Sequence, residues 1–205
     1  MKLGIFGGTF DPIHNAHLFV AEAARTLEDL ERVLFVPTNA THYRGSAVAD
    51  ANDRCAMIAA AIAGNSRFAL DRSDLEPEAT GFTADLLPRL QGRYPDAGFT
   101  FILGADSLVN GNWVRLEEIL EALERFVVAP RAGISDEVLT RAVSAIPSSL
   151  RSRVATLNLP QLPESASLIR KLINEGKTFR YLVPEPAWRY IIEHDLYGMS
   201  NGQVS

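Results

Sequence analysis

The sequence has 205 residues, of which 47% are hydrophobic and 22% are charged, and such a composition is ordinary for one globular domain. Its net charge of −5 argues against a general nucleic-acid-binding surface, and its single cysteine, Cys55, excludes an intramolecular disulfide and a cysteine-rich zinc site. We recognise no signal peptide and no apolar run long enough to span a bilayer, so we expect a cytoplasmic protein with no membrane partner, in which Cys55 is a small core residue.

Apolar runs alternate with helical patterns along the chain. The strand-like runs cover residues 2–6, 33–37, 68–70, 99–103, 126–129 and 154–159. The helix-like segments cover residues 18–27, 52–63, 83–90, 114–123, 136–145, 165–174 and 186–194. This alternation predicts the α/β class: one doubly wound parallel sheet with a C-terminal helical segment. We expect a single domain over residues 1–205, with residues 198–205 forming a frayed tail.

Ligands of such sheets bind outside the carboxyl ends of the strands. The segments that follow predicted strands and carry polar or glycine residues are 7–17, 38–44, 104–113 and 160–170. We therefore expect these segments to meet at one edge of the sheet and to form the binding site.

The first of these segments has the sequence GGTFDPIHNAH. Gly7 and Gly8 allow backbone N–H groups to approach a phosphate, and the helix that follows adds N–H donors and the positive end of a dipole. His14 and His17 are three residues apart, so they share one face of the first helical turn. A glycine turn or a histidine alone is usually structural, but the combination after a strand predicts a site for an anion that gains charge during a reaction.

This segment resembles the GxFDPxHxGH motif of the HxGH nucleotidyltransferases, and most closely that of the bacterial nicotinate-nucleotide adenylyltransferases. The resemblance implies a Rossmann-like nucleotidyltransferase fold and catalytic roles for His14 and His17. It also implies ATP-binding roles for Gly7, Gly8, Thr9, Phe10 and His17. Where the family usually has glycine, this chain has Ala16, and we expect tighter packing there without loss of the site.

Residues 165–170, with the sequence SASLIR, are a second candidate anion site. Ser165 is a plausible helix N-cap, and hydroxyls at a helix start with an arginine one turn later can also bind an anion. The pattern alone does not separate these two interpretations. The segment resembles the SxTxxR motif of the same family, which implies that Ser167 and Arg170 hold the ATP phosphates and that Arg170 is catalytic.

The third segment contains Gly104, Asp106 and Trp113. Asp106 can cap the next turn or accept a ribose hydroxyl, and Trp113 can be a core residue or face a pocket. The resemblance implies that Gly104 and Asp106 bind ATP, that Asp106 also contacts the mononucleotide, and that Trp113 stacks on a nicotinate ring.

Two further pairs complete the implied mononucleotide site. Phe82 and Thr83 stand at the start of a predicted helix, where Thr83 is a reasonable cap and where the family uses backbone N–H groups to hold the nicotinate carboxylate. His42 and Arg44 lie in a region that resembles a PPHK-like sequence, with Tyr43 in place of the lysine and Arg44 as its substitute.

The resemblance implies adenylyl transfer from ATP to nicotinate mononucleotide, with no metal site in the protein and Mg²⁺ bound mainly through the ATP phosphates. Three other functions remain open. The acceptor can be nicotinamide mononucleotide or phosphopantetheine. Alternatively, the chain can be a non-catalytic nucleotide-binding regulator, which the departures at Ala16, Tyr43 and Phe82 leave open although both histidines and Arg170 remain. A tRNA-acting synthetase fragment conflicts with the acidic charge, so we expect no nucleic-acid partner. A homo-oligomer is compatible with the sequence.

Overall fold

The computed structural model describes residues 1–38, 47–111 and 113–198. Within these ranges the strands are β1 (Lys2–Gly8), β2 (Arg32–Pro37), β3 (Phe68–Leu70), β4 (Gly98–Gly104), β5 (Arg125–Ala129) and β6 (Val154–Thr156). They form one parallel sheet in the order β3-β2-β1-β4-β5-β6. The predicted parallel sheet is therefore confirmed. The last strand is shorter than the predicted segment 154–159 because its pairing with β5 ends at Thr156.

The helices are α1 (Asn15–Leu27), α2 (Ala51–Ile62), α3 (Thr83–Arg93), α4 (Ala105–Asn110), α5 (Leu116–Ala122), α6 (Asp136–Ser144), α7 (Ala166–Asn174) and α8 (Glu185–Glu193). All of the predicted helices are present, with ends shifted by a few residues, and α4 was not predicted. None of these helices, over the described part of the chain, has the length and hydropathy needed to cross a bilayer.

The core has two layers because successive side chains of a strand point to opposite faces of the sheet. Leu3 and Ile5 of β1 pack against one face together with apolar residues of α3, α4, α5 and α6. Phe6 packs against the other face with apolar residues of α1, α2, α7 and α8. Each fully buried side chain of this kind contributes roughly 1.5–3 kcal/mol of transfer free energy. The predicted doubly wound arrangement is thus confirmed, and Cys55 is buried in α2 as expected.

The direction of chain winding reverses at β1, which pairs with β2 on one side and with β4 on the other. The loops that leave the carboxyl ends of β1 and β4 therefore run to opposite faces of the sheet. A crevice opens between them, and this is the position where open α/β sheets bind ligands.

Candidate active site

A cavity of about 420 Å³ occupies this crevice. Its volume lies within the range of roughly 300–1,000 Å³ that is usual for small-molecule sites. The predicted site residues that line it are Gly7, Gly8, Thr9, His14, His17, Thr83, Gly104, Asp106 and Trp113. The described parts of the segments 7–17, 38–44, 104–113 and 160–170 all contribute lining residues, so these segments meet at one sheet edge as predicted.

Aromatic rings pack tightly beneath the glycine turn. A Cβ atom added at Gly7 would lie 3.2 Å from the Phe101 ring, and one added at Gly8 would lie 3.2 Å from the Phe10 ring. Phe10 is only 1% exposed and packs edge-on against the His17 ring, with centroids 4.9 Å apart. The Phe10 side chain therefore supports the turn from the core and does not line the cavity, and the ATP-binding role of this residue stays a prediction.

The two histidines of the motif form one rigid unit at the start of α1. His14 is the N-cap residue, and its backbone N–H group donates to Nδ1 of His17 at 3.2 Å. The two imidazole rings stack with centroids 3.6 Å apart. Because Nδ1 of His17 accepts a hydrogen bond, the neutral form of this ring carries its proton on Nε2.

His14 is held in its neutral form. Its side chain is 1% exposed, and neither of its ring nitrogens has a hydrogen-bond partner among the described residues. Burial, and then the positive charge of Arg131, lower the pKa of His14 from 6.5 to about 3. An unpaired polar ring in a cavity wall is costly to leave unsatisfied, so this arrangement points to a ligand that contacts the His14 ring.

Arg170 reaches residues 7–17, the motif segment, from α7. Its Nη1 atom donates to the backbone carbonyl of Asp11 at 2.5 Å and lies 3.7 Å from the Asp11 carboxylate oxygen Oδ2, while Nη2 donates to Ser167 at 3.4 Å. Ser165 accepts from the Leu168 N–H group at 3.1 Å, which confirms it as the N-cap of α7. Arg170 and Ser167 lie beside the loop that carries the histidines, but they are outside the cavity lining itself.

Trp113 belongs both to the core and to the cavity wall. Its ring packs edge-on against Phe126 and Phe101, at centroid distances of 5.3 and 6.2 Å. Its indole N–H group donates to the backbone carbonyl of Ser107 at 2.9 Å. The ring is therefore fixed in orientation at the wall, where it can present an aromatic surface to a planar ligand.

Neither Thr83 nor Asp106 is the N-cap of its helix. The N-cap of α3 is Phe82, and Thr83 is the first residue of the helix. The N-cap of α4 is Gly104, and Asp106 lies in the first turn of that helix. A Cβ atom at Gly104 would lie 2.5 Å from Oδ1 of Asp106, so a glycine is needed for this carboxylate to fold back over the end of β4. Phe82 lies outside the cavity lining, whereas Thr83 lines it.

The sequence analysis missed two charged residues of the cavity wall. Arg131 follows β5 closely and donates from Nη1 to the Glu164 carbonyl at 3.3 Å, and Asp74 is buried in a short 3₁₀ turn after β3. Both follow strands, so the sheet-edge rule could have identified them. His42 and Arg44, with Tyr43 between them, lie outside the described residues, as does the tail from residue 199.

Within the described ranges, no group of three or more His, Cys, Asp or Glu side chains is arranged to hold a metal ion. Asp74 and Asp106 are the carboxylates of the cavity wall in this part of the chain.

A cytidylyltransferase-like family model matches residues 5–172 of the chain. A protein from Exiguobacterium sibiricum named "Probable nicotinate-nucleotide adenylyltransferase" is 37% identical over 198 residues, which cover 96% of this chain and 99% of that protein. A protein of the same name from Thermomicrobium roseum is 39% identical over 198 residues, with coverages of 96% and 91%.

Solved structures show the same fold. The nicotinic acid mononucleotide adenylyltransferase of Plasmodium falciparum, complexed with NaAD, is 22% identical and superposes with a TM-score of 0.78 over 97% of this chain and 98% of that chain. The same protein complexed with APC gives a TM-score of 0.76 over the same shares.

Proposed function

The chain belongs to the cytidylyltransferase-like family and to the nicotinate-nucleotide adenylyltransferases within it, and on this basis we propose that it transfers the adenylyl group of ATP to nicotinate mononucleotide. An oxygen of the mononucleotide 5′-phosphate attacks the α-phosphorus of ATP, and the bond from that phosphorus to the bridging oxygen breaks. Pyrophosphate leaves, and nicotinate adenine dinucleotide is the second product. Such a reaction needs no side-chain nucleophile, since it depends on positioning the reactants and stabilising developing charge.

The observation that carries this proposal is the stacked pair His14 and His17 beside the glycine turn. In its neutral form His17 carries a proton on Nε2, and this donor is suited to the oxygens of the transferring phosphoryl group. His14 stays neutral at pH 7 because of its low pKa, so its ring can share the same oxygens as a hydrogen-bond partner. Fixed donors of this kind lower the barrier because they do not reorganise as charge develops.

Three other residues of the cavity wall support a pyridine acceptor. Trp113 offers an aromatic face, and Thr83 begins α3, where the first N–H groups of a helix have no intrahelical partner. Arg131 adds a positive charge to the same cavity. A carboxylate on the pyridine ring would be attracted to this cation, whereas a neutral carboxamide would gain much less.

The triphosphate is assigned to the other end of the site. We propose that Arg170 and Ser167 bind the β- and γ-phosphates, because both lie beside the loop that carries the histidines. Mg²⁺ would enter with ATP and remain bound mainly to phosphate oxygens, as is common for this strongly hydrated ion, and it would neutralise charge on the leaving pyrophosphate. Asp106 would bind a ribose, and His42 and Arg44 remain part of the proposed mononucleotide site.

We further propose a cytoplasmic location, with ATP and nicotinate mononucleotide as the partners. The single cysteine, which is buried in α2, suits a reducing compartment. The net charge of −5 disfavours a nucleic-acid partner.

The experiment that tests the function follows pyrophosphate release from MgATP with one acceptor at a time: nicotinate mononucleotide, nicotinamide mononucleotide or phosphopantetheine. We expect the highest kcat/KM with nicotinate mononucleotide, with nicotinate adenine dinucleotide identified as the product by mass spectrometry. A higher kcat/KM with either other acceptor would replace the proposed substrate. ATP binding without pyrophosphate release from any acceptor would favour a nucleotide-binding regulator.

A further inference from the structure

The Asp11 side chain connects the motif segment to other parts of the chain. It is 3% exposed, and its carboxylate accepts from the backbone N–H groups of Val48 at 2.7 Å and Ala49 at 3.1 Å. These two N–H groups hold the residues that precede α2 against the motif segment. A buried carboxylate needs such donors, because an unpaired buried charge is strongly destabilising.

Tyr197 brings a donor from the far end of the chain. Its hydroxyl donates to Oδ1 of Asp11 at 2.8 Å, and the residue is 7% exposed within the core of the α1, α2, α7 and α8 face. Tyr197 lies well beyond residue 172, where the family model ends. Its backbone is in the left-handed region, with φ of 63°, which is unfavourable for a bulky residue and must be compensated by the surrounding contacts.

The same aspartate also contacts Arg170. The guanidinium group holds the Asp11 backbone carbonyl through Nη1, and this nitrogen is 3.7 Å from Oδ2. The two oxygens belong to one rigid carboxylate group, in which Oδ1 faces Tyr197 and Oδ2 faces Arg170. The position of this group therefore depends on the tyrosine hydroxyl, and the charge that Arg170 can offer to a phosphate depends on the position of the carboxylate.

We propose that Tyr197 is a positioning residue for ATP binding, whose hydroxyl holds the Asp11 carboxylate so that Arg170 can engage the triphosphate. Without the hydroxyl, Oδ1 keeps one donor, the N–H group of Ala49. The buried carboxylate then gains most by drawing the Arg170 guanidinium closer, and a guanidinium paired to a carboxylate binds phosphate less strongly. This inference rests on the ATP-binding role proposed above for Arg170.

The chain offers a matched control in Tyr190. This tyrosine also belongs to the C-terminal segment, and its hydroxyl also donates to an aspartate, Oδ1 of Asp53, at 3.0 Å. Tyr190→Phe removes the same kind of hydrogen bond without touching Asp11 or Arg170. Comparing Tyr190→Phe with Tyr197→Phe therefore separates a general loss of a tyrosine–aspartate bond from an effect on the triphosphate site.

The experiment measures the dissociation constant of MgATP by isothermal titration calorimetry, without the mononucleotide, and thermal unfolding checks that each variant is folded. We expect Tyr197→Phe to weaken ATP binding about tenfold, the scale of one hydrogen bond to a charged group, and Tyr190→Phe to leave it within about twofold. In an Arg170→Gln background, Tyr197→Phe should have no further effect on ATP binding, because the residue through which it acts is gone.

An unchanged ATP dissociation constant in Tyr197→Phe would overturn the inference, as would an equal loss in Tyr190→Phe or an additive loss in the Arg170→Gln background. Wild-type turnover is measured in parallel. A wild-type protein that binds ATP but releases no pyrophosphate would refute the proposed function alone, since the ratio of ATP dissociation constants still tests Tyr197. A wild-type protein that does not bind ATP would refute both.

Discussion

The imidazole rings of His14 and His17 stack with their centroids 3.6 Å apart and their planes at 21°. Two positively charged rings at this separation would repel each other. The stack is stable because burial and the charge of Arg131 hold the pKa of His14 near 3, so this ring is uncharged at neutral pH. The buried His14 residue therefore fixes the position of the His17 ring, through the stack and through the His14 backbone N–H group that donates to Nδ1 of His17.

Replacing His17 with alanine should remove a donor that acts on the transferring phosphoryl group. We expect kcat for pyrophosphate release to fall about a hundredfold or more, which is the scale for losing one charge-stabilising donor, while the protein stays folded. His194→Ala is the matched control, because His194 is an exposed histidine that stacks on Tyr190. A near-normal kcat for His17→Ala, with the fold intact by circular dichroism, would remove this residue from the mechanism.

His14 should make the protein less stable in acid. Between its unfolded pKa of 6.5 and its folded pKa of about 3, the unfolded chain binds a proton at this ring and the folded chain does not. The free energy of unfolding must therefore fall as the pH falls through this window, by up to about 1.4 kcal/mol per pH unit from this group.

The measurement compares wild type with His14→Gln, which cannot titrate, by denaturant unfolding at several pH values from about 7 down to about 4.5. The wild-type curve should be steeper, and the difference between the two curves isolates the His14 contribution. His194→Gln serves as the control for replacing an exposed histidine with glutamine. Parallel curves for wild type and His14→Gln would show that the His14 pKa is not depressed.

The sequence predicts the sheet well because buried parallel strands are nearly continuous apolar runs, which end at proline in β2 and at glycine in β4. It fails for α4 for a physical reason. That helix has six residues, its N-cap is Gly104, which has no side chain to accept a capping hydrogen bond, and six residues are too few for a helical periodicity to show.

The cavity lining was predictable where it depends on position after a strand, and less so where it depends on packing. The glycine turn, the histidine pair and Trp113 were identified because they follow β1 and β4. The burial of Phe10 was missed because it depends on a backbone φ of 49° and on the rings of Phe6 and His17, which local sequence does not encode. The link from Asp11 to Tyr197 joins residues 186 positions apart, and no local pattern records it.

Arg131 should set the preference for an acidic pyridine ring over its amide. We expect Arg131→Gln to lower kcat/KM for nicotinate mononucleotide by at least about tenfold and to change that for nicotinamide mononucleotide by no more than about twofold, because only the acid carries a ring carboxylate that the arginine can attract. Arg125→Gln is the control, since Arg125 begins β5, the strand that precedes Arg131, and donates to the Ser152 carbonyl at 3.0 Å, outside the cavity lining. Equal losses for both acceptors would show that Arg131 acts on a group that the two mononucleotides share.

Trp113 should contribute to binding of the mononucleotide and not of ATP. Trp113→Leu keeps an apolar side chain in contact with Phe101 and Phe126 but removes the aromatic face, so we expect KM for nicotinate mononucleotide to rise about tenfold, as for the loss of a strong aromatic contact. The dissociation constant of MgATP should stay within about twofold, because the triphosphate is assigned to the other end of the site.

Trp188→Leu removes the chain's other tryptophan, which packs beneath Arg180 at 4.5 Å and outside the cavity lining, and it controls for the loss of a large ring. Steady-state kinetics with each substrate varied in turn, together with calorimetry for ATP, measures both quantities. A rise in the ATP dissociation constant equal to the rise in KM for the mononucleotide would place the adenine base, and not the pyridine, against Trp113.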